Sequence, residues 1–110
     1  ILLDEKGGPN HVGNFCFAPV HADTRSGKLI YTNSYYYIGH FSKFIHPGAR
    51  RIMAVASRSM LLTTAFQNPG GTVVVVVMNP TAKGGEYDLT VGTSAIKVSA
   101  RPHSIQTVVF

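Results

Sequence analysis

Carboxylates are scarce in these 110 residues: Asp4, Glu5, Asp23, Glu86 and Asp88 are the only five. Glycoside hydrolysis generally uses two of them across the scissile bond. Asp4 and Glu5 are neighbours, which on a strand point to opposite faces. Glu86 and Asp88 share a face, but they follow Gly84-Gly85 and read as solvated residues at a strand's start. No catalytic pair comes from these acids. Cysteine is as sparse: Cys16 stands alone, so no internal disulfide forms. Lying between Phe15 and Phe17, it reads as a buried, inert thiol with no base to activate it. His11, His21, His40, His46 and His103 lack His-x-His or His-x3-His spacing, so no convergent metal ligands are expected, and nothing asks for a cofactor. No apolar run approaches the roughly 18 residues of a membrane helix. The longest, Val73 to Met78, suits a buried strand. Asn79-Pro80-Thr81 fails as a glycosylation acceptor because its middle residue is proline.

Charged residues make up only 14% of the chain against 45% hydrophobic, too apolar for disorder. Eleven glycines and six prolines break it too often for a coiled coil. The formal net charge is +5, yet the basic residues are scattered and only Arg50 and Arg51 adjoin. Phosphate backbones need a clustered stripe, so no nucleic-acid partner is expected. The length fits one domain or a piece of one, able to bury roughly 65% of its unfolded surface. Ile-Leu-Leu followed at once by Asp-Glu lacks the positive charge that opens a signal peptide. The start reads instead as the middle of a longer protein.

What is present is ordered by turn chemistry. Residues 1–4 read as a short buried strand, stopped by Lys6-Gly7-Gly8-Pro9-Asn10 and an irregular loop running to about Asn14. Residues 20–23 and 28–32 read as strands around Thr24-Arg25-Ser26-Gly27. Asn33 or Ser34 is expected to cap the only helix. On it, Tyr37, Ile38, Phe41, Phe44 and Ile45 recur at helical spacing until His46-Pro47-Gly48. Tyr35-Tyr36-Tyr37 cannot form one stacking platform, because consecutive helical residues point about 100° apart. From Arg50 the period becomes two, predicting strands at 51–57, 61–67, 72–78, 86–91, 95–100 and 104–110. Six short strands with turns between them predict a mainly β fold, an antiparallel β-sandwich. Five consecutive valines, Val73 to Val77, predict a central strand covered on both faces.

Leu3-Asp4-Glu5-Lys6-Gly7-Gly8-Pro9-Asn10-His11-Val12-Gly13-Asn14-Phe15, then Tyr37-Ile38-Gly39-His40-Phe41-Ser42-Lys43-Phe44-Ile45, resembles the C-terminal part of glycoside hydrolase family 30, the glucosylceramidase-like enzymes. Val73 to Asn79 and Pro102 to Thr107 continue the likeness, which covers essentially the whole chain. The resemblance implies a (β/α)8 barrel with a β-sandwich at its side. Residues 1–46 would be the barrel's last strand, active-site loop and last helix, and 47–110 the sandwich. Barrel active sites lie on loops at the strands' C-terminal ends, so the 5–14 loop would reach the sugar pocket. The family's two catalytic glutamates would lie upstream of Ile1, leaving no catalytic residue within this chain. Asn14 matches a pocket-lining family position, and its amide can donate to and accept from sugar hydroxyls. The alternative role for it is a loop lock bonded to its own backbone. Asn10 and His11 are further substrate-binding candidates, His11 standing where members often carry an aromatic.

The function implied is that of a fragment of a retaining β-glycosidase acting on β-glucans or glucosylated lipids, secreted or periplasmic, and inactive in isolation. The alternative is a non-catalytic β-sandwich that binds carbohydrate or supports another domain. Without a barrel, Tyr37, Phe41 and Phe44 would lose their partner. Either the helix then folds back on the sheet or the fragment forms a homodimer.

Overall fold

The computed structural model describes all residues except Ile1, Pro9, Asn14, Arg58 and Ser59, and of Asn10 only the backbone. It divides into two compact units, 1–39 and 40–110.

The first unit is built on a three-stranded sheet in the order β1-β2-β3. Strand β1 (Leu2–Asp4) runs parallel to β2 (Val20–Asp23), with Leu2 opposite Val20 and Asp4 opposite Ala22. Strand β3 (Lys28–Tyr31) returns antiparallel beside β2. The turn between them is held by Asp23. Its carboxylate accepts from the Ser26 hydroxyl at 2.6 Å and from the backbone N–H groups of Arg25 and Ser26. Gly27 closes the turn with φ +68°, donating to the Asp23 carbonyl at 2.8 Å.

Helix α1 (Asn33–Ser42) starts one residue earlier than a cap at Asn33 allows and two earlier than one at Ser34, which puts Thr32 at the cap position. Thr32 does not serve the helix with its side chain: its hydroxyl donates to the Pro19 carbonyl at 3.0 Å. The regular helix ends at Ser42, short of the Ile45 that the apolar spacing suggested, and the chain continues as a turn with Ile45 N–H bonded to the Phe41 carbonyl at 2.9 Å.

The second unit carries a four-stranded antiparallel sheet, β4-β5-β6-β9, and a separate hairpin, β7-β8. The strands are β4 (Arg50–Ile52), β5 (Leu62–Gln67), β6 (Val73–Asn79), β7 (Gly85–Val91), β8 (Ser94–Ala100) and β9 (Ser104–Val109). Five of the six expected strands agree with these to within a residue or so. Strand β4 is the exception, stopping at Ile52 where the pattern ran to 57; Met53 and Val55 lie exposed beyond it. An alternation of apolar residues without a neighbour to pair with does not hold a strand. The β7-β8 turn uses two residues, Gly92 and Thr93, with Gly92 at φ +59° in the first central position, as a type II′ turn requires.

Strand β6 lies between β5 and β9, and Val74, Val75, Val76 and Val77 are all buried. Its two faces find different partners. Val75 and Val77 join Ala65, with Tyr87, Leu89 and Val91 of β7 packed against them. Tyr87 also accepts a hydrogen bond from the Gln106 amide of β9, linking hairpin to sheet. On the opposite face, Val74 pairs with Phe66 and Val76 with Thr107. There the end of α1 docks: Phe41 meets Phe66 edge-on at 6.5 Å between centroids. The Thr107 hydroxyl donates to the His40 carbonyl at 3.1 Å, and His40 Nδ1 lies 2.9 Å from the same oxygen. A hydroxyl has one proton, so Nδ1 must be the donor in that second bond. Fully burying a valine contributes about 1.5–3 kcal/mol, and the run of valines is stable only because both faces are covered.

Candidate functional site

The loop after β1 is built around a narrow neck. Asp4 ends the strand and starts a tight turn, accepting from Lys6 N–H through its side chain at 3.0 Å and from Gly7 N–H through its carbonyl at 3.1 Å. Gly7 has φ +70°, and a Cβ there would stand 2.8 Å from the Cys16 carbonyl oxygen and 3.0 Å from the Phe15 ring. Only glycine suits that close approach. Gly8 then bridges to Cys16, whose N–H donates to the Gly8 carbonyl at 3.0 Å. The chain is therefore closed upon itself between Gly8 and Cys16, and surface loops commonly carry function.

Within it, Asn10–Val12 form a single 3-10 turn. His11 lies on this turn, exposed to solvent, and Asn10 precedes it. The role expected of Asn14 falls on a residue outside those described. Cys16 is exposed, not buried as its aromatic neighbours suggested. The reason is local. Phe15 and Phe17 pack edge-on against each other at 4.9 Å, and Phe17 also meets His21 at 5.0 Å, so neither ring covers the thiol. His21 itself is buried, and its Nε2 has no partner among the described residues.

The carboxylates are engaged elsewhere. Glu5 accepts from Thr24 N–H at 3.1 Å and from the Thr24 hydroxyl at 2.9 and 3.0 Å. The Thr24 backbone bond holds the Glu5 carboxyl below its ordinary value, and the Ser26 hydroxyl does the same for Asp23. Glu86 and Asp88 are exposed and flank Lys97 of the facing strand at 3.9 and 3.8 Å. In the second unit a cavity of about 490 Å³ lies along β7, lined by Ser57, Asn79, Lys83, Tyr87 and these two acids. Burial raises the Tyr87 hydroxyl above its usual value, partly offset by Gln106. No helix among the described residues is long and apolar enough to cross a membrane.

The Glu5–Thr24 pair and the Gly7 neck were not singled out from the sequence. Only the loop's glycines hinted at the neck, and nothing in the spacing links residues 19 positions apart.

Comparison with known proteins bears on the same regions. Residues 1–45 match the family model described as the glycosyl hydrolase family 30 TIM-barrel domain, and residues 48–108 the one described as the family 30 beta sandwich domain. Lysosomal acid glucosylceramidase of Mus musculus is 42% identical over 80 residues, 72% of this chain and 16% of that protein. The crystal structure of SrfJ from Salmonella typhimurium superposes with a TM-score of 0.92 at 34% identity, over 99% of this chain and 24% of SrfJ. The endo-β1,6-glucanase BT3312 superposes at 0.84 with 27% identity, over 96% of this chain and 24% of that one. The chain thus spans at most about a quarter of the relatives it matches.

Proposed function

The chain belongs to glycosyl hydrolase family 30, and on that premise we propose that it is the closing part of a β-glycosidase that cleaves β-glucosidic links in glucans or glucosylated lipids. Residues 1–46 would finish the barrel and 47–110 form the side sandwich. Glutamates upstream of Ile1 would supply the acid/base and the nucleophile. A secreted or periplasmic location and, for the isolated piece, self-association go with this reading.

The observation that carries it is the closed loop 8–16 directly after β1, since barrel enzymes bind substrate on loops at that end of their strands. The chain's part in the reaction is binding. Asn14 would donate to and accept from hydroxyls of the sugar, with Asn10 and His11 beside it, His11 facing the group that leaves. The acids are committed to other partners: Asp4 to the Lys6 N–H, Glu5 to Thr24, Asp23 to its turn, Glu86 and Asp88 to Lys97. The 110 residues alone are therefore expected to hydrolyse nothing.

Steady-state kinetics of the full-length protein on an aryl β-glucoside test the reading. Asn14→Ala should lower kcat/KM by an amount equivalent to about 1–3 kcal/mol with the melting temperature nearly unchanged. A full-length protein that cleaves no β-glycoside refutes it, and so does an Asn14→Ala variant that melts early but turns over normally.

A further inference from the structure

We propose that Glu5 is a positioning residue whose carboxylate, gripping Thr24, holds the neck of the 5–16 loop to the β2-β3 hairpin so that the loop presents its polar side chains to one sugar. The inference rests on reading that loop as part of a sugar pocket.

The ladder between the parallel strands β1 and β2 ends at the pair Asp4 and Ala22. Past that point the bonds of Asp4 to Lys6 and Gly7 are local, and the Gly8–Cys16 bridge closes the loop only upon itself. Neither bonds residues 5–8 to the hairpin. Among the described residues, the hydrogen bonds that tie residues 5–8 to the hairpin are those of Glu5. They are of the strong, charge-assisted kind, a carboxylate receiving a backbone N–H and a hydroxyl. Thr24 is itself fixed, because it follows β2 directly and begins the turn that Asp23 and Gly27 close. The grip is strongest with an ionised carboxylate, both of whose oxygens accept. Thr24's donors hold the Glu5 carboxyl below its ordinary value despite slight desolvation and the like charge of nearby Asp23.

Glu5 is solvent-exposed, so it adds little to global stability. That separates positioning from a plain structural role. A small displacement of a substrate-bearing loop can cost up to about 100-fold in rate, while an exposed hydrogen bond barely moves the melting temperature.

The test uses the full-length protein with Glu5→Ala, Thr24→Val, their combination and Thr24→Ser. It reads kcat and KM on an aryl β-glucoside, the melting temperature, and amide exchange over residues 6–16. Glu5→Ala should lower kcat/KM about tenfold, shift melting by no more than about 2 °C, and speed exchange in the loop. Thr24→Val should fall part of the way, since it keeps its N–H. Thr24→Ser should match the unaltered protein, and the combination should be no worse than Glu5→Ala alone. If the unaltered enzyme turns over and Glu5→Ala equals it, the positioning role is wrong while the pocket stands. A loss that tracks melting temperature with no change in loop exchange also overturns it. An unaltered protein that cleaves no β-glycoside removes the pocket, and this inference with it.

Discussion

Replacing Asn79 tests the sandwich unit where polar atoms are most tightly accounted for. Asn79 is 3% exposed, and its amide uses its full capacity. Nδ2 donates to the carbonyls of Lys83 at 2.7 Å and Arg101 at 3.0 Å. Oδ1 accepts from Thr81 N–H at 3.0 Å and from the Thr81 hydroxyl at 2.8 Å. One side chain thereby joins the end of β6 to the turns before β7 and before β9. Asn79→Ala strands the Arg101 carbonyl and the Thr81 N–H, while the Lys83 carbonyl keeps the Thr81 hydroxyl as a donor at 3.0 Å. A stranded buried group costs about 1–3 kcal/mol. Because Arg101 is an exposed residue whose carbonyl can regain some water, the total should be about 2–4 kcal/mol.

Asn79→Asp keeps the shape and reverses the logic, setting an oxygen against the same two carbonyls. Those contacts disfavour the ionised acid, so its folded pKa rises above the unfolded value of about 3.9. The unfolded chain then ionises first as pH rises. The penalty is smallest below about pH 4, grows between the unfolded and folded pKa values, and is complete above the latter. Urea denaturation at pH 4 and pH 7 reads both effects. An Asn79→Ala stability within about 0.5 kcal/mol of the unaltered protein would refute the accounting, as would an Asn79→Asp variant whose deficit does not deepen from pH 4 to pH 7.

Gly7→Ala should open the loop's neck, because its φ of +70° and the 2.8 Å approach to the Cys16 carbonyl leave no room for a methyl; faster amide exchange across residues 8–16 would record it, at a cost of about 1–3 kcal/mol. Asn68→Ala should cost about 2 kcal/mol in denaturation, since this buried side chain accepts from His46 N–H and donates to the Phe44 carbonyl, satisfying the turn after α1. Thr107→Val removes both bonds to His40 and should cost about 1–2 kcal/mol, and a His40→Leu change made on top of it should add less than it does alone.

Much of this architecture could be read from residue order, and where it could not the reason is physical. The hairpin around residues 24–27 was legible because Asp, Ser and Gly each do one recognised job in a tight turn. The two-faced burial of β6 was legible because five valines leave no solvent face. Strand β4 ran short because period-two patterning reports what a segment could bury, not whether a partner lies alongside. The helix cap was misassigned because Ser, Thr and Asn compete equally for that position until the backbone decides. Exposure of Cys16 escaped notice for a related reason: Phe15 and Phe17 pair with each other, and adjacency in sequence says nothing of where rings turn. The loop's place in the order was evident from its glycines and proline, while Glu5–Thr24 depends on strand register, which no single residue encodes.

The valine strand has a consequence for the chain's birth. A stretch of β-branched residues without charge or proline is also the composition that stacks into amyloid when left bare. During synthesis β5 precedes β6 and can cover one edge at once through their hairpin. The other edge belongs to β9, which leaves the ribosome only after the whole of β7 and β8 has been made. At roughly 5–20 residues per second, that edge stays open for about a second or more. Glycines before the strand and Asn79-Pro80 after it keep the sticky segment short during this interval. Chaperone demand, expression temperature and the yield of truncated versions ending before residue 104 should all be governed by that one waiting edge.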